Sequence, residues 1–392
     1  MNKKVIYVSP MHLSDKVSQD WYVDYLIDKG VVVEFWDITL ILREDFTEFS
    51  MKETDYLRML GSYNELEARL SLSGNRNALY VIMFNFEGRF ASIFRYLNKH
   101  ECHTILIAWG ASPILDVKIC RKILSGFSNP LKLLINVFYR IKAIVYKKLK
   151  IVKPFDVVFT AGNVLMASYF FSKKKIAINQ PDYDHYKKVK SEDERFLVCR
   201  YVVFLDQYLP YHSDFEYFGI PALDPVSYYA SLNRFFDLIE LKYGVKVVIA
   251  SHPRADYSAD KFNGRYACSG KTPEMVKDAE FVIAHYSTSV SYAVLNQKPL
   301  VFIYTNEMAE LYRQTIMNHL YDLSDYLDAS ICNIDNLFKI EDDWLRSINS
   351  SAYKKYKNDF LSTPSSENTT TCEIFWREIT KNILQHELAE NK

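Results

Sequence analysis

Short apolar runs alternate with helical patterns along almost the whole chain. The runs that predict strands in the first half are 4–9, 31–36, 79–84, 104–109, 156–160 and 175–179. Those in the second half are 201–205, 245–250, 280–284 and 299–304. They are apolar on both faces and rich in Val and Ile, which is typical of strands buried in a parallel sheet.

Helical patterns lie between these runs, at 17–29, 52–72, 88–99, 226–243, 272–278 and 288–296. Strands that alternate with helices predict βαβ units, and so many of them predict two doubly wound α/β domains. The polar stretch 180–195 predicts a linker, which gives an N-terminal domain over 1–185 and a C-terminal domain over 195–361. After a loop at 362–371, residues 372–388 predict a helix that packs back across the domains.

Composition narrows the class of protein. The chain has 392 residues with 48 basic and 48 acidic side chains, so it lacks the basic footprint of a nucleic-acid-binding protein. Its 15% aromatic content includes 29 Tyr, which suits clefts that bind polar ligands. Neither a signal-peptide pattern nor an apolar run of about 18–20 residues occurs, which favours a cytoplasmic protein.

One segment departs from this balance of charge. Acidic residues are absent from the 39 positions between Asp116 and Asp156, where ten basic residues occur. At helical spacing, 131–150 sorts into an apolar face with Leu134, Val137, Phe138, Ile141, Ile144, Val145 and Leu149, and an opposite face with Lys132, Arg140, Lys147 and Lys150. This pattern predicts a helix that lies on the inner leaflet of the cytoplasmic membrane. A helix packed on the sheet with a solvated basic face is the alternative.

Polar side chains follow three strands of the second half. Asp206 comes directly after 201–205, the triplet His252-Pro253-Arg254 follows 245–250, and Ser287-Thr288-Ser289 follows 280–284. Ligands bind beyond the carboxyl ends of the strands in an open α/β sheet, so these groups are expected to share one crevice. A backbone-bound histidine, an Asx turn at Asp206 and a plain helix cap at Ser287 are the structural alternatives.

Asp206, then His252-Pro253, then Ser287-Thr288 resemble the three ordered motifs of bacterial CMP-sugar-dependent glycosyltransferases, which transfer sialic acid, Kdo and related nonulosonates. Those enzymes are similar in having an acidic motif, a His-Pro motif and a Ser-Ser/Thr motif on a GT-B fold. The resemblance covers about residues 200–305. It implies an α/β, GT-B-like fold with two Rossmann-like doubly wound domains facing a central cleft.

The resemblance also implies roles. Asp206 would deprotonate the acceptor hydroxyl, His252 would assist departure of the CMP phosphate, and Ser287, Thr288 and Ser289 would hold that phosphate. Further donor contacts are expected from Pro253, Arg254, Thr272 and Glu274. No metal ion and no cofactor besides the CMP-activated sugar are expected. The acidic motif of the family usually ends in Gly, whereas this chain has Asp206-Gln207-Tyr208, so Asp214 is an alternative base.

The expected function is transfer of an acidic sugar to a surface-polysaccharide or lipid-linked glycan acceptor. The acceptor is expected on the N-terminal domain, near His12, Asn85 and Glu87 in the loops after 4–9 and 79–84. Two alternatives come from other classes: a polyol-phosphate transferase of the teichoic-acid type, and a non-catalytic, membrane-docked subunit of a polysaccharide assembly complex.

Overall fold

The structure is a computed structural model that describes residues 4–42, 52–113, 130–212, 215, 220–255, 257, 260–313, 316–337 and 348–390. The chain divides into two compact units. The first holds Met1–Gly110, Asp116–Asn179 and Thr363–Lys392, and the second holds Ala111–Leu115 and Gln180–Ser362.

The first unit is built on a parallel sheet of seven strands in the order β3-β2-β1-β4-β5-β6-β7. The strands are β1 (Lys4–Ser9), β2 (Val32–Asp37), β3 (Leu57–Met59), β4 (Leu79–Ile82), β5 (His103–Ala108), β6 (Phe155–Ala161) and β7 (Ser172–Ile178). The strand order reverses between β1 and β4, as in doubly wound folds. Alternate residues of β1 lie in different apolar clusters, Val5 and Tyr7 on one face and Ile6 and Val8 on the other.

The described helices of the first unit are α1 (Asp15–Asp20), α2 (Val23–Asp28), α3 (Thr39–Leu42), α4 (Tyr63–Ser71), α5 (Ala91–Lys99), α6 (Pro130–Lys148), α7 (Gly162–Ala167) and α15 (Thr371–Glu390). Helix α15 brings Ile374, Phe375 and Ile379 into the apolar cluster that contains Tyr7. Two of the sequence predictions need correction. The helix predicted over 17–29 is two helices, separated at Tyr22 by a left-handed backbone with φ of 62°. The helix predicted over 52–72 is strand β3 followed by α4.

The second unit is built on a parallel sheet of six strands in the order β10-β9-β8-β11-β12-β13. The strands are β8 (Tyr201–Leu205), β9 (Lys246–Ser251), β10 (Ala267–Ser269), β11 (Val282–Ala284), β12 (Leu300–Tyr304) and β13 (Ser330–Asn333). The order of this sheet reverses between β8 and β11. The described helices are α8 (Pro181–Lys190), α9 (Pro225–Tyr243), α10 (Thr272–Asp278), α11 (Val290–Leu295), α12 (Asn306–Leu311), α13 (Ile316–Leu327) and α14 (Ser350–Tyr356).

The stretch 180–195 is not the linker that its polarity predicted, because most of it forms helix α8. Pro181 occupies the first turn of this helix, where the missing N–H costs no hydrogen bond. The Asp182 carboxylate accepts hydrogen bonds from the Ser291 and Tyr292 hydroxyls at 2.5 and 3.2 Å, which attaches α8 to α11. The chain passes from the first unit to the second between Asn179 and Gln180.

Helix α6 presents its apolar face outward. Leu134, Phe138 and Ile141 expose 66%, 61% and 55% of their surface. Arg140 is exposed, as the sequence predicts. Lys147 was predicted on the same solvated basic face, but it is half-buried, and its Nζ lies 5.4 and 5.1 Å from the ring centroids of Phe86 and Phe171. The Lys132 side chain lies outside the described part of the structure.

The opposite side of α6 packs closely against the rest of the first unit. A Cβ atom at Gly88 would overlap the backbone of Tyr139 in α6, so only glycine permits this approach. Ala143 and Tyr146 pack against the apolar cluster that contains Ile6 and Val8. Within the described residues, no helix is both long and apolar enough to span a membrane.

Candidate functional site

Three adjacent strands of the second sheet end in the predicted site residues. The sheet order places β8 between β9 and β11, so Asp206, His252 and Ser287 follow neighbouring carboxyl ends. The strand order reverses between the neighbouring strands β8 and β11, and open α/β sheets bind ligands at the carboxyl ends of the strands on either side of such a reversal. A hydrogen bond from the Tyr286 N–H to Gln207 Oε1, 3.1 Å long, connects the segments that follow these two strands.

The Asp206 carboxylate is buried and extensively hydrogen-bonded. It accepts a hydrogen bond from the Tyr257 hydroxyl and, at 3.0 Å, one from the Tyr208 N–H. Burial raises the pKa of this carboxyl, and the hydrogen bonds from Tyr257 and from three backbone N–H groups oppose the rise. One of these N–H groups belongs to His252, so Asp206 also holds the backbone at the end of β9.

Tyr208 occupies the position at which the acidic motif of the enzymes that the sequence resembles usually has glycine. Its φ is 54°, in the left-handed region that favours glycine and that a bulky side chain rarely adopts. The Asp206 carboxylate accepts the Tyr208 N–H within this turn. The departure in sequence therefore keeps the backbone conformation that glycine would take most easily.

His252 is half-buried at the end of β9, and its ring orientation follows from one hydrogen bond. Its Nδ1 accepts the Arg254 N–H at 3.2 Å, so the neutral ring carries its proton on Nε2. A second imidazole is adjacent: the ring centroids of His212 and His252 are 5.4 Å apart. His212 stacks in turn on Phe215, with centroids 5.3 Å apart.

Ser287, Thr288 and Ser289 lead into α11, a helix of six residues. The Ser289 N–H donates to Ser287 Oγ at 3.2 Å, so part of the expected set of backbone donors is already used. Ser289 is the N-cap residue, but its side chain makes no capping hydrogen bond. Thr288 is exposed.

The other predicted donor contacts surround β9 and β10. Pro253 and Arg254 are exposed in the turn after His252. Thr272 begins α10 shortly after β10, the strand that pairs with β9. Glu274, in the first turn of α10, pairs with Lys271 at 3.2 Å. The structure thus brings these residues to the same edge of the sheet as His252.

His285 belongs to the core rather than to the crevice. Its Nδ1 donates to the Ile303 carbonyl at 2.6 Å, and its Nε2 accepts the Tyr228 hydroxyl at 2.9 Å. Burial lowers the pKa of this imidazole from 6.5 to about 4. The side chain is therefore neutral and structural.

The depressed pKa of His285 predicts a specific loss of stability in acid. Between pH 6.5 and 4 the unfolded chain binds a proton that the folded ring does not, so stability present above pH 6.5 falls as the pH falls. The loss reaches roughly 3 kcal/mol below pH 4. Urea unfolding of wild type and His285→Gln across this range should show a difference that narrows towards acid pH. A difference independent of pH would contradict it; His319→Gln is the matched control.

The three acceptor-side candidates follow β1 and β4, at the reversal point of the first sheet. His12 Nδ1 lies 2.6 Å from Asp37 Oδ2, and the Asp37 side chain is fully buried. Asn85 and Glu87 are exposed: Asn85 Oδ1 accepts the Phe86 N–H at 2.8 Å, and Glu87 pairs with Arg89 at 2.7 Å.

Sequence reasoning missed four residues of these two sheet edges: Asp37, Gln207, His212 and Tyr257. Asp37 follows an apolar run directly, as Asp206 does, so the same rule would have found it. His212 and Tyr257 lie in loops and gave no pattern. Asp214, the alternative base, lies outside the described residues. Among the residues that are described, no cluster of three or more His, Cys, Asp or Glu side chains fits a metal ion.

Comparison with protein-family models gives no match, and neither does comparison with curated protein sequences. Among solved structures, a variant of the wall teichoic acid polymerase TagF matches with a TM-score of 0.53 at 13% identity, over 98% of this chain and 90% of that chain. The chain has the GT-B fold. MurG of Acinetobacter baumannii matches with a TM-score of 0.47 at 8% identity, over 97% of this chain and 99% of that one. The UDP-GlcNAc 2-epimerase of Methanocaldococcus jannaschii has a TM-score of 0.44 at 11% identity, over 97% and 100%.

Proposed function

We propose that this protein is a glycosyltransferase that moves an acidic sugar from a CMP-activated donor to a glycan or lipid-linked glycan acceptor. The observation that carries the proposal is the convergence of Asp206, His252 and Ser287 at the reversal point of the second sheet. A carboxylate, an imidazole and a turn that carries serine and threonine hydroxyls then lie at one edge of the sheet. This set matches the ordered motifs of the CMP-sugar-dependent enzymes.

His252 is suited to act on the leaving phosphate. Because Nδ1 accepts the Arg254 N–H, Nε2 is the nitrogen that donates. A donor at this position stabilises the charge that develops on the phosphate oxygen as the glycosidic bond breaks. The hydroxyls of Ser287 and Thr288, with Ser289, would hold the other phosphate oxygens. Because imidazole and hydroxyl groups supply this stabilisation, the proposal needs no metal ion.

The nucleoside is expected beside β9 and β10, where Pro253, Arg254, Thr272 and Glu274 lie. Aromatic rings are present at the same edge: Tyr208 contacts Tyr211 and Tyr257, with ring centroids 5.0 and 5.5 Å apart. Tyrosine rings combine a flat apolar face with a polar hydroxyl, a combination that suits a nucleobase and its ribose.

The acceptor is assigned to the first unit, around His12, Asn85 and Glu87. Helix α6 would hold that unit at the cytoplasmic face of the inner membrane. An anionic bilayer would suit this helix, because the acyl chains would contact its outward apolar face and the lipid phosphate groups would contact its exposed basic residues. A membrane-bound acceptor would then be reached from the lipid surface.

A polyol-phosphate transferase of the teichoic-acid type is the second candidate. The fold match to TagF and the pair of imidazoles at His212 and His252 favour it, since two imidazoles beside a phosphate suit phosphoryl transfer. Analysis of the product separates the candidates: a glycoside with release of CMP supports the sugar transferase, and a phosphodiester supports the rival.

A thermal-shift screen with CMP, CDP, UDP and GDP tests the proposal. We expect CMP to stabilise the protein, because a ligand at ~100 times its dissociation constant adds about 2.7 kcal/mol. Ser287→Ala combined with Thr288→Val should reduce the shift, and Ser350→Ala, in α14, is the control. Stabilisation by UDP or GDP alone would contradict the choice of donor. No shift with any nucleotide would favour a non-catalytic assembly subunit.

A further inference from the structure

We propose that Lys261 binds the carboxylate of the acidic sugar and thereby selects CMP-activated donors that carry one. The inference rests on the proposed function, since it concerns the donor that the second unit is proposed to bind. It deepens that function by naming the residue of this chain that would distinguish an acidic sugar from a neutral one.

The backbone of Lys261 is firmly held in the loop between β9 and β10, which follows β9 at the carboxyl edge of the second sheet. Asn233 Nδ2, on α9, donates a hydrogen bond to the Lys261 carbonyl at 2.9 Å. The next residue, Phe262, is buried in the core of the unit. The Asp260 carboxylate closes the turn, because it accepts the Phe262 N–H at 3.1 Å and the Gly264 N–H at 2.7 Å. The loop therefore presents the Lys261 side chain from a fixed position.

The Lys261 side chain is half-buried beside two tyrosine rings. Its Nζ lies 5.9 Å from the ring centroid of Tyr211 and 5.8 Å from that of Tyr229. Both distances are close to the ~6 Å limit of cation–π attraction, so the rings flank the ammonium group without neutralising it. Within the part of the chain that the structure describes, no carboxylate forms an ion pair with Lys261.

Two neighbouring basic residues of the same sheet edge are paired. Arg265, in the same loop, lies 2.5 Å from Asp237 and 2.7 Å from Glu240. Lys271, which follows β10, pairs with Glu274 as described above. A half-buried charge is unfavourable without a partner, and an anionic ligand would supply the partner that Lys261 lacks among the described residues. The geometry of this loop therefore favours an anion at Lys261.

A chain of contacts connects Lys261 with the histidine that is proposed to act on the leaving phosphate. Tyr211, which flanks Lys261, is followed in the sequence by His212, whose ring centroid is 5.4 Å from that of His252. The turn at Ser287 follows β11, on the other side of β8 in the sheet. Because neighbouring strands are about 4.8 Å apart, the ends of β9 and β11 are separated by roughly 10 Å. This separation favours at Lys261 a different anionic group of the donor from the phosphate assigned to Ser287.

The carboxylate of the sugar is such a group. In sugars of the Kdo and sialic acid type it is bonded to the anomeric carbon, which also carries the oxygen that leaves with the CMP phosphate. It is therefore the anionic group of the donor nearest to that phosphate. A hydrogen bond between an ammonium group and a carboxylate is about twice as strong as one between neutral groups. A neutral sugar offers no such partner and would leave Lys261 without a counter-ion.

Binding of CMP, CDP, CMP-N-acetylneuraminic acid and CMP-Kdo to the full chain, measured by titration calorimetry, tests the inference. We expect the wild type to bind at least one of the two acidic sugar nucleotides more tightly than CMP. Lys261→Met keeps most of the side chain and removes its charge. It should weaken binding of that sugar nucleotide by about 10–100-fold, the range of one charged hydrogen bond, with little change for CMP. Lys261→Arg should keep most of the preference.

Lys246→Met is the matched control, because Lys246 is exposed at the beginning of β9, on the opposite edge of the same sheet, and this variant should bind as the wild type does. If circular dichroism shows that Lys261→Met does not fold, Lys261→Gln replaces it. An equal loss for CMP and for the sugar nucleotide would overturn the inference, because the cation would then serve the nucleotide. A loss confined to CDP would overturn it in favour of a second phosphate, and unchanged binding of all four ligands would overturn it outright.

The wild-type titrations separate this inference from the proposed function. Binding of CMP without any preference for an acidic sugar nucleotide overturns the role of Lys261 alone. Absence of binding of every cytidine nucleotide by the folded wild type contradicts the proposed function itself, and the inference fails with it.

Discussion

His252→Ala should reduce sugar transfer by about 10²–10⁴-fold, the contribution typical of a positioned proton donor. The reason is the proton on Nε2: because Nδ1 accepts the Arg254 N–H, Nε2 is the ring nitrogen that can donate to the leaving phosphate. We expect the loss in turnover to be at least as large as the loss in CMP affinity, because the interaction strengthens as charge develops on the phosphate.

Steady-state transfer and CMP titration on the same preparations measure both quantities. His319→Ala, on α13, is the matched control and should behave as wild type. His212→Ala should give an intermediate loss if the second imidazole supports His252. Unchanged turnover in a folded His252→Ala variant would remove His252 from the mechanism.

Charge reversal on α6 should release the protein from anionic vesicles. Arg140, Lys148 and Lys150 are exposed on or directly after the helix. Each basic residue near an anionic surface contributes about 1 kcal/mol, and each introduced Glu is repelled, so replacing all three by Glu should weaken binding by more than about 3 kcal/mol, which is more than a hundredfold. Sedimentation with anionic vesicles measures the effect, which should be largest at low salt.

The apolar face of α6 is expected to contribute separately to vesicle binding. Phe138→Ser with Ile141→Ser should weaken the part of the binding that high salt does not remove, because burying such side chains stabilises by about 1.5–3 kcal/mol each. Lys29→Glu, Arg76→Glu and Lys242→Glu change the net charge equally at exposed positions elsewhere and should leave binding nearly intact. Failure of the wild type to sediment with anionic vesicles at low salt would refute the membrane role.

The longer strands were predictable, including the edge strand β7, whereas three short edge strands were not. All ten predicted strands are present, and, apart from the edge strand β7, their continuous apolar runs reflect burial on both faces. The strands that were missed, β3, β10 and β13, have three or four residues and lie at sheet edges. Such short strands carry little hydrophobic pattern. The sequence predicts a linker where α8 lies because the segment is highly charged, and charge density alone does not distinguish a solvated helix from a loop.

The placement of the candidate site residues was predictable where a polar residue directly follows a strand. Asp206, His252 and Ser287 follow the ends of predicted strands, and this position in the sequence was enough to predict that they lie at the carboxyl edge of the sheet. The partners that define their chemistry were not visible, because Tyr257 reaches Asp206 across 51 residues of sequence and Asp37 reaches His12 across 25. Such contacts depend on loop conformation, which no local pattern encodes. His285 shows the converse, since a histidine at a strand end proved to be part of the core.

CMP titration of the wild-type protein, followed in parallel on Ser287→Ala/Thr288→Val and His252→Ala, tests the central claim most directly. The account predicts saturable CMP binding that both variants weaken and that Ser350→Ala leaves unchanged. Absence of CMP binding by the folded wild-type protein, or binding that all three variants retain in full, would contradict the assignment of the donor phosphate to the carboxyl edge of the second sheet.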